Sequence, residues 1–443
     1  MTGKDPARSL RRFPLLTATR GGRLEAAGVN IGSGAEILET ICDRYPNRTT
    51  GGEGEQAQAR HLADVLRTSG LDPVTIDPVP CLGCDFEPAQ LRVPDRTGMA
   101  LDSLPVTFTG STPPDGLTAA LVYADDVDFV DFADPRLRGK LLLVFGWFGD
   151  YSHTRYYEAA IQAGLEGVIV VRDSEHTICY GLPPAAAACG NLPVASISHP
   201  SAMKLMQSGA TAAFLKVRQT IREVVGSNVV ACLPANAPKL DDRTFLVSAH
   251  LDAKPVRPAA ADNAAGTAMA VEVMRVLAGA ERRRDIWFAG YTDEEHGFSG
   301  SRHFARNHPD LVARCWAQFY YDGHGTIVGH NKLVVTGHEQ LGSFMRQVAQ
   351  DIRHPMKVES RVNTLDPLVL FAFGVPAVQV ERVPQRTWHT GQDIVADIAP
   401  EVMRAGVHLY AEALYRLANE PELPFPRDPG DEARERGREK AGA

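Results

Sequence analysis

The chain has no apolar run approaching the roughly 20 residues that a membrane-spanning helix needs. Its longest runs, among them Leu141 to Phe145 and Gly167 to Val171, are strand-sized, which argues against a membrane partner. A basic surplus is also missing. Lys and Arg number 46 against 54 Asp and Glu, a formal net charge of −8, so there is no electrostatic footprint for nucleic acid. Arg8, Arg11, Arg12 and Arg20 mark the N-terminus, but Pro14 to Ala18 is too short for the apolar core of a cleaved secretory signal. Seven scattered cysteines, an odd number, do not make a disulfide framework. Cys81 and Cys84 form a single CxxC with no second pair and read as two thiols in a loop. These absences point to a reducing cytoplasm. No internal repeat is visible, and 443 residues at 44% hydrophobic are enough for two or three domains.

Residues 1–32 read as an Arg/Gly-rich extension, poorly ordered at its start. Residues 33–103 begin with two helical patterns, Ala35 to Cys42 and Gly54 to Ser69. In the second, Ala57, Ala59, Leu62, Val65 and Leu66 recur at helical spacing before the stop at Gly70. Leu71 to Val79 reads as extended. Residues 104–225 change texture: strand Leu141 to Phe145, helix Tyr156 to Ala163, strand Gly167 to Val171, and a third extended stretch at Leu192 to Ile197. No cluster of metal-ligating residue types falls there.

Residues 226–419 alternate strands with helices. The strands are expected at Phe245 to Ala249, Ile286 to Gly290, Gln318 to Tyr321, Leu333 to Val335 and Val375 to Val380. The helices are expected at Ala264 to Ala278, Gly300 to Asn307, Glu339 to Ile352 and Pro400 to Ala418. The fold class is therefore α/β, a mainly parallel mixed sheet flanked by helices. Residues 420–443, rich in proline and charge, read as a disordered tail.

One ordered series in the last body carries chemistry: His250, Asp262, Glu294-Glu295, Asp322 and His389. In open α/β sheets the carboxyl ends of strands line the functional crevice. His250, the Glu pair and Asp322 each follow a strand pattern, so three segments deliver ligand-type side chains to one edge. Asp262 stands at the start of a helix, where its carboxylate could bridge two cations. Two imidazoles with carboxylates suit zinc, and cobalt or manganese fit the same set. Asp252, two residues past His250, is placed to accept a hydrogen bond from the imidazole nitrogen turned away from the metal. Adjacent residues at a strand end point to opposite sides. One glutamate therefore ligates while the other takes the proton from a water acidified by two ions roughly 3.5–4 Å apart.

The wording Ser-Ala-His250-Leu-Asp252, Asp262-Asn263-Ala-Ala-Gly266, Glu294-Glu295, Tyr-Tyr-Asp322-Gly and His389-Thr-Gly-Gln-Asp393 resembles the co-catalytic zinc metallopeptidase family. That family includes bacterial leucyl aminopeptidases, glutamate carboxypeptidase II and the transferrin receptor. The resemblance covers about residues 225 to 415. It implies a zinc-exopeptidase fold of phosphorylase/hydrolase-like type. Residues 104–225, with their Gly139-Lys140 start, Ala-x-x-Ala-Gly164 helix end and Leu192-Pro-Val-Ala segment, resemble an inserted protease-associated domain. The metallopeptidase resemblance further implies two zinc ions, one on His250, Asp262 and Asp322, the other on Asp262, Glu295 and His389, with Glu294 as base. No ligand is missing, unlike in receptor-like members. Gly323-His324-Gly325 and Thr364-Leu-Asp366-Pro depart from the family wording where substrate would sit, so specificity does not carry over.

The expected function is hydrolysis of peptide or amide bonds, foremost as an aminopeptidase on short peptides. A deacylase of an acylated metabolite or a carboxypeptidase would use the same site. A single-zinc glutaminyl-cyclase-like transferase and a non-catalytic binding protein are readings from other classes, and the full ligand set speaks against both. The preferred end of the substrate, its side chain, the native metal and a homo-oligomeric state stay open. His324 reads as either a site residue or an exposed turn residue. His296, His303, His330 and His338 read as solvated or locally bonded, and the run Asp125-Asp126-Val-Asp128 as a solvated loop. Arg382 and Arg386 read as structural ion-pair partners before substrate clamps, and Asp366 has no assigned role.

Overall fold

The computed structural model describes residues 19–94, 99–149, 154–354 and 356–442. The first eighteen residues of the expected N-terminal extension lie outside them. Two eight-stranded mixed sheets make up the architecture. The larger one runs, edge to edge, Val74–Phe86, Gln219–Leu233, Ile286–Tyr291, Thr244–His250, Cys315–Tyr321, Ala377–Val383, His330–Thr336 and Lys357–Ser360. Its four central strands are parallel, and antiparallel partners flank them on both sides.

Burial explains this arrangement. Thr244–His250 is buried at every residue, as expected of a central strand with both faces covered. Alternate side chains serve opposite layers. Phe245, Val247 and Ala249 pack with Ala35–Arg44, Glu53–Thr68, Gly266–Ala278 and Pro400–Asn419. Leu246 packs with Phe304, Leu311, Val312, Val369 and Leu370 on the other side. Inside Glu53–Thr68 the buried positions Ala59, Leu62, Ala63 and Leu66 form one helical stripe. The strand and helix patterns expected for residues 226–419 coincide with observed elements to within a few residues.

Val74–Phe86 and Gln219–Leu233 form a long antiparallel ribbon, from Val74 opposite Ala231 to Phe86 opposite Gln219. It carries the chain out of the first sheet and back again. Beyond it lies the second sheet, ordered Ala100–Leu101, Gln90–Arg92, Ala212–Lys216, Leu117–Ala124, Lys140–Phe145, Gly167–Arg172, Val194–Ser198 and Leu104–Pro105. This sheet begins at Gln90, ahead of the boundary at 104 expected from texture. Its first strands are only two or three residues long, too short to show periodicity. Cys81 and Cys84 lie in the ribbon strand rather than in a loop. None of the seven cysteines is in a disulfide. No helix among the described residues is long and apolar enough to cross a membrane.

The C-terminal segment differs from the expected disordered tail. Asp431–Ala441 is a helix whose buried face is Ala433, Gly437 and Ala441. It lies against Pro367–Phe371 so closely that a Cβ at Gly437 would fall 2.4 Å from the Ala372 nitrogen and 2.8 Å from the Leu368 oxygen. Arg302 and Arg306 donate to the last carbonyls, at 2.6 Å to Lys440 and 3.0 Å to Ala441. A stripe of alanine and glycine has no hydrophobic signature, which is why the charged exterior dominated the sequence pattern. Gly437→Val is expected to detach this helix. Amide hydrogen exchange should then accelerate across 431–441 while the central strands stay protected; unchanged exchange there would show that the close approach is not required.

Candidate metal centre

The ligand-type side chains are delivered by strand ends and held by their neighbours. His250 ends its strand, and Thr267 donates to its carbonyl at 2.7 Å. Asp262 lies in the wide turn Ala260–Ala265, with φ −122° and ψ 91° outside helical values, ahead of helix Gly266–Ala278. Its backbone N–H and that of Ala261 donate to the two carboxylate oxygens of Asp393, at 3.0 and 2.7 Å. The next residue, Asn263, donates to the carbonyl of Tyr321 at 2.9 Å, tying this turn to the segment that carries Asp322. Arg48 donates to the carbonyls of Pro258 and Ala259 on the approach.

The glutamate pair does not sit on a strand end. Glu294–His296 is a short 3-10 turn two residues beyond the strand, entered through Asp293 at φ 61°. Asp252 shapes this turn: one carboxylate oxygen accepts the Glu294 N–H at 3.1 Å, and the other accepts from Glu295 and from Thr50, both at 3.2 Å. The bond expected from His250 to the Asp252 carboxylate is 3.6 Å long, beyond hydrogen-bond reach. The His250 Nδ1 instead lies 3.1 Å from the Asp252 backbone carbonyl. Asp252 thus supports His250 through its main chain and the glutamates through its side chain.

His389 has φ 56°, stacks on Trp388 with ring centroids 3.7 Å apart, and accepts from the Cys179 N–H at 2.8 Å. That last bond links the second sheet's loops to the centre. Ala259, Asp293, Phe298 and His389 are four of six non-glycine residues in the left-handed region among those described. Such backbone persists only where its surroundings over-determine it, and here it surrounds one small volume.

The structure brings all of these side chains together. Asp262 is central: one oxygen lies 3.2 Å from His250 Nε2, the other 3.1 Å from His389 Nε2. Asp322 approaches His250 Nε2 at 3.5 Å, and Glu295 approaches His389 Nε2 at 3.0 Å. His250, Asp262 and Asp322 form one triad of donor atoms and Asp262, Glu295 and His389 another, each within 4.8 Å. The donor set fits divalent ions. Burial pushes Glu294 well above the usual carboxylate range, His250 pulling it down and Asp322 and Glu295 pushing it further up. Asp322 is raised to about 6, chiefly by burial, against the attraction of His250. Burial works on Glu295 too, but His389 and Lys254 hold it down at about 2. Among the described residues, His250 Nε2 and Glu294 Oε1 have no hydrogen-bond partner. Crowded buried carboxylates and an unbonded imidazole nitrogen are costly alone, and cations remove that cost.

The remaining candidates fall elsewhere. His324 is fully buried, not on an exposed turn; burial pushes its imidazole down to about 3, and its ring packs against Tyr321 and Gly406. His296 is buried against Phe108 and Thr50, and His338 caps the helix Glu339–Asp351. Glu381 pairs with Lys332 and Arg361, whereas Arg386 is exposed. Among the described residues Arg382 forms no ion pair; it donates to carbonyls and Asn331. Asp126 caps its own short turn. Asp366 accepts from Ser301 at 2.7 Å and from Tyr320 at 3.2 Å, and the same tyrosine lies 3.5 Å from Asp322. Asp393 was legible inside the His389 wording but carried no role. Arg48, Thr50 and Lys254 had no sequence signal, because the groups they hold at the site lie far away in the chain.

Comparison with known proteins finds peptidases. Residues 228–414 match the family model described as Peptidase family M28. Aminopeptidase YwaD of Bacillus subtilis (strain 168) is 26% identical over 377 residues, 77% of this chain and 78% of that protein. Carboxypeptidase Q of Homo sapiens is 22% identical over 416 residues, 88% and 86% of the two chains. Among solved structures, a peptidase M28 precursor from Shewanella amazonensis SB2B superposes with a TM-score of 0.78 at 20% identity, covering 91% of this chain and 97% of that one. The Bacillus subtilis zinc aminopeptidase BSAP gives 0.69 at 21% identity, covering 90% and 98%. The fold is shared across nearly the whole chain.

Asp393→Ala removes both acceptors that hold the Asp262 turn. Zinc affinity is expected to fall roughly 10- to 100-fold, read by calorimetric titration of metal-stripped protein. An unaltered affinity would mean the turn holds its shape without that carboxylate.

Proposed function

We propose, from the premise that this chain is a zinc metallopeptidase with a peptidase family M28 domain at residues 228–414, that it removes amino-terminal residues from short peptides at a centre of two zinc ions. The observation that carries this reading is the sharing of Asp262 between two His/carboxylate triads. His250, Asp262 and Asp322 would hold one ion, and Asp262, Glu295 and His389 the other; cobalt or manganese would fit the same donors. When bound, such a pair supplies an acidified water and polarises the scissile carbonyl.

The chain's own residues do the rest. Glu294, buried beside the triads and with Oε1 unbonded, takes the proton from the attacking water and returns it to the leaving amine. Asp252 positions that base through the backbone N–H groups of Glu294 and Glu295. Lys254 lies 3.7 Å from Glu295 and offsets part of the carboxylate charge. A cavity of about 550 Å³ reaches Trp388, which stacks on His389, and is lined by Trp147, Tyr180, Phe298 and Leu365 on its apolar side and by Arg436, Glu439 and Lys440 on the other. Its aromatic walls suit an apolar substrate side chain.

The second sheet is read as a protease-associated module, extended back to Gln90, which helps to wall the cleft through Trp147, Tyr180 and the Cys179 bond to His389. Aminopeptidase action is preferred because YwaD, at 26% identity, carries that description, against 22% for carboxypeptidase Q. Two complete triads favour hydrolysis over a single-zinc transferase. The unpaired cysteines support a reducing, cytoplasmic setting.

Glu294→Gln is expected to lower kcat roughly 10²- to 10⁴-fold with zinc content unchanged. Mass spectrometry of a mixed library of peptides and N-acyl amino acids should show loss of single amino-terminal residues, absent with the variant. Cleavage confined to acylated species would reassign the enzyme as a deacylase, and full activity of the variant would remove Glu294 from the mechanism.

A further inference from the structure

A second cavity, of about 760 Å³, is lined by none of the residues of the metal centre. Its polar lining is Arg382, Lys357, His330, His354 and Asn331, against a wall that includes Val402 and Ala405 from the helix Pro400–Asn419. Every ionisable group in that lining is a base. The nearby acids are engaged elsewhere: Glu359 and Glu381 pair with Lys332 and Arg361.

Arg382 is the unusual member. It is 7% exposed, and among the described residues no carboxylate lies within ion-pair distance of it. Burial alone pushes it down, to about 10. A guanidinium carries five N–H groups. Here Nε donates to Thr326, one terminal nitrogen donates to Asn331 at 2.9 Å, and the other donates to the carbonyl of Ile327 at 3.0 Å. Among the described residues one N–H on each terminal nitrogen is left over, and Arg382 lines an otherwise basic cavity. Buried positive charge with unspent donors is what a carboxylate or phosphate group recognises bidentately.

We propose that this cavity binds a small anion bearing a carboxylate or phosphate group, held by Arg382 at its floor and Lys357 at its mouth. The site has a mechanical connection to the metal centre. The same guanidinium grips the carbonyls of Thr326 and Ile327, and the Arg382 N–H donates to Gly323 at 3.1 Å. Those residues form the loop that leaves Asp322, so an anion on Arg382 steadies that loop. This inference does not depend on which amide bond the enzyme cleaves.

The test uses the zinc-loaded full chain, titrated calorimetrically with inorganic phosphate and, separately, with succinate. Saturable binding of either probe is expected, with slower amide exchange across 323–329. Phosphate alone binding would indicate a phosphorylated ligand, succinate alone a carboxylate; either supports the site. Lys357→Glu, at an exposed position, and Arg382→Lys, which keeps the charge but loses the fork, should each weaken binding at least about tenfold. No binding of either probe up to about 10 mM would overturn the proposal. Binding indifferent to both variants would also overturn it, by moving the anion to another place such as the zinc ions.

Discussion

The sharing of one carboxylate between two imidazoles organises this molecule. Asp262 lies within 3.2 Å of both His250 and His389, which arrive from segments nearly 140 residues apart in the chain. Around it the fold concentrates carboxyl groups: half-buried Asp322 and buried Glu294 and Glu295, with Asp252, Asp293 and Asp366 behind them. Isolated buried carboxylates are among the most expensive things a protein can contain. Bound cations would offset that cost, and the two triads offer the donor atoms to hold them.

The surrounding structure serves this constraint. Three parallel strands end at one edge and bring His250, the glutamate turn and Asp322 there. Backbone N–H groups, rather than side chains alone, fix the geometry: Asp393 holds the Asp262 turn and Asp252 holds both glutamates. The second sheet contributes Cys179 and Trp147, so the aromatic wall of the cleft is built from both halves of the chain. The left-handed backbone at Asp293 and His389 is the local cost of aiming these groups inward.

Much of this was legible in the sequence. The core strands of residues 226–419 are nearly unbroken apolar runs, and the ligand-type residues follow them in an order that a buried parallel sheet converts directly into convergence. What escaped was of three kinds. Short strands such as Gln90–Arg92 have no period to detect. The C-terminal helix buries only alanine and glycine, so its charged residues set the pattern. The supporting contacts of Arg48 and Lys254 are made to groups distant in the chain, which leave no mark on local sequence. The role of Asp252 was half visible: His-x-Asp spacing predicts a carboxylate on the imidazole, but the 3-10 turn at Glu294–His296 captures that carboxylate instead.

The central claim is a centre of two ions bridged by Asp262. Anomalous diffraction at the zinc edge from crystals grown with zinc tests it most directly. Two peaks roughly 3.5–4 Å apart, one on each side of the Asp262 carboxylate, are what this account predicts. A single peak, or peaks away from Asp262, would contradict it.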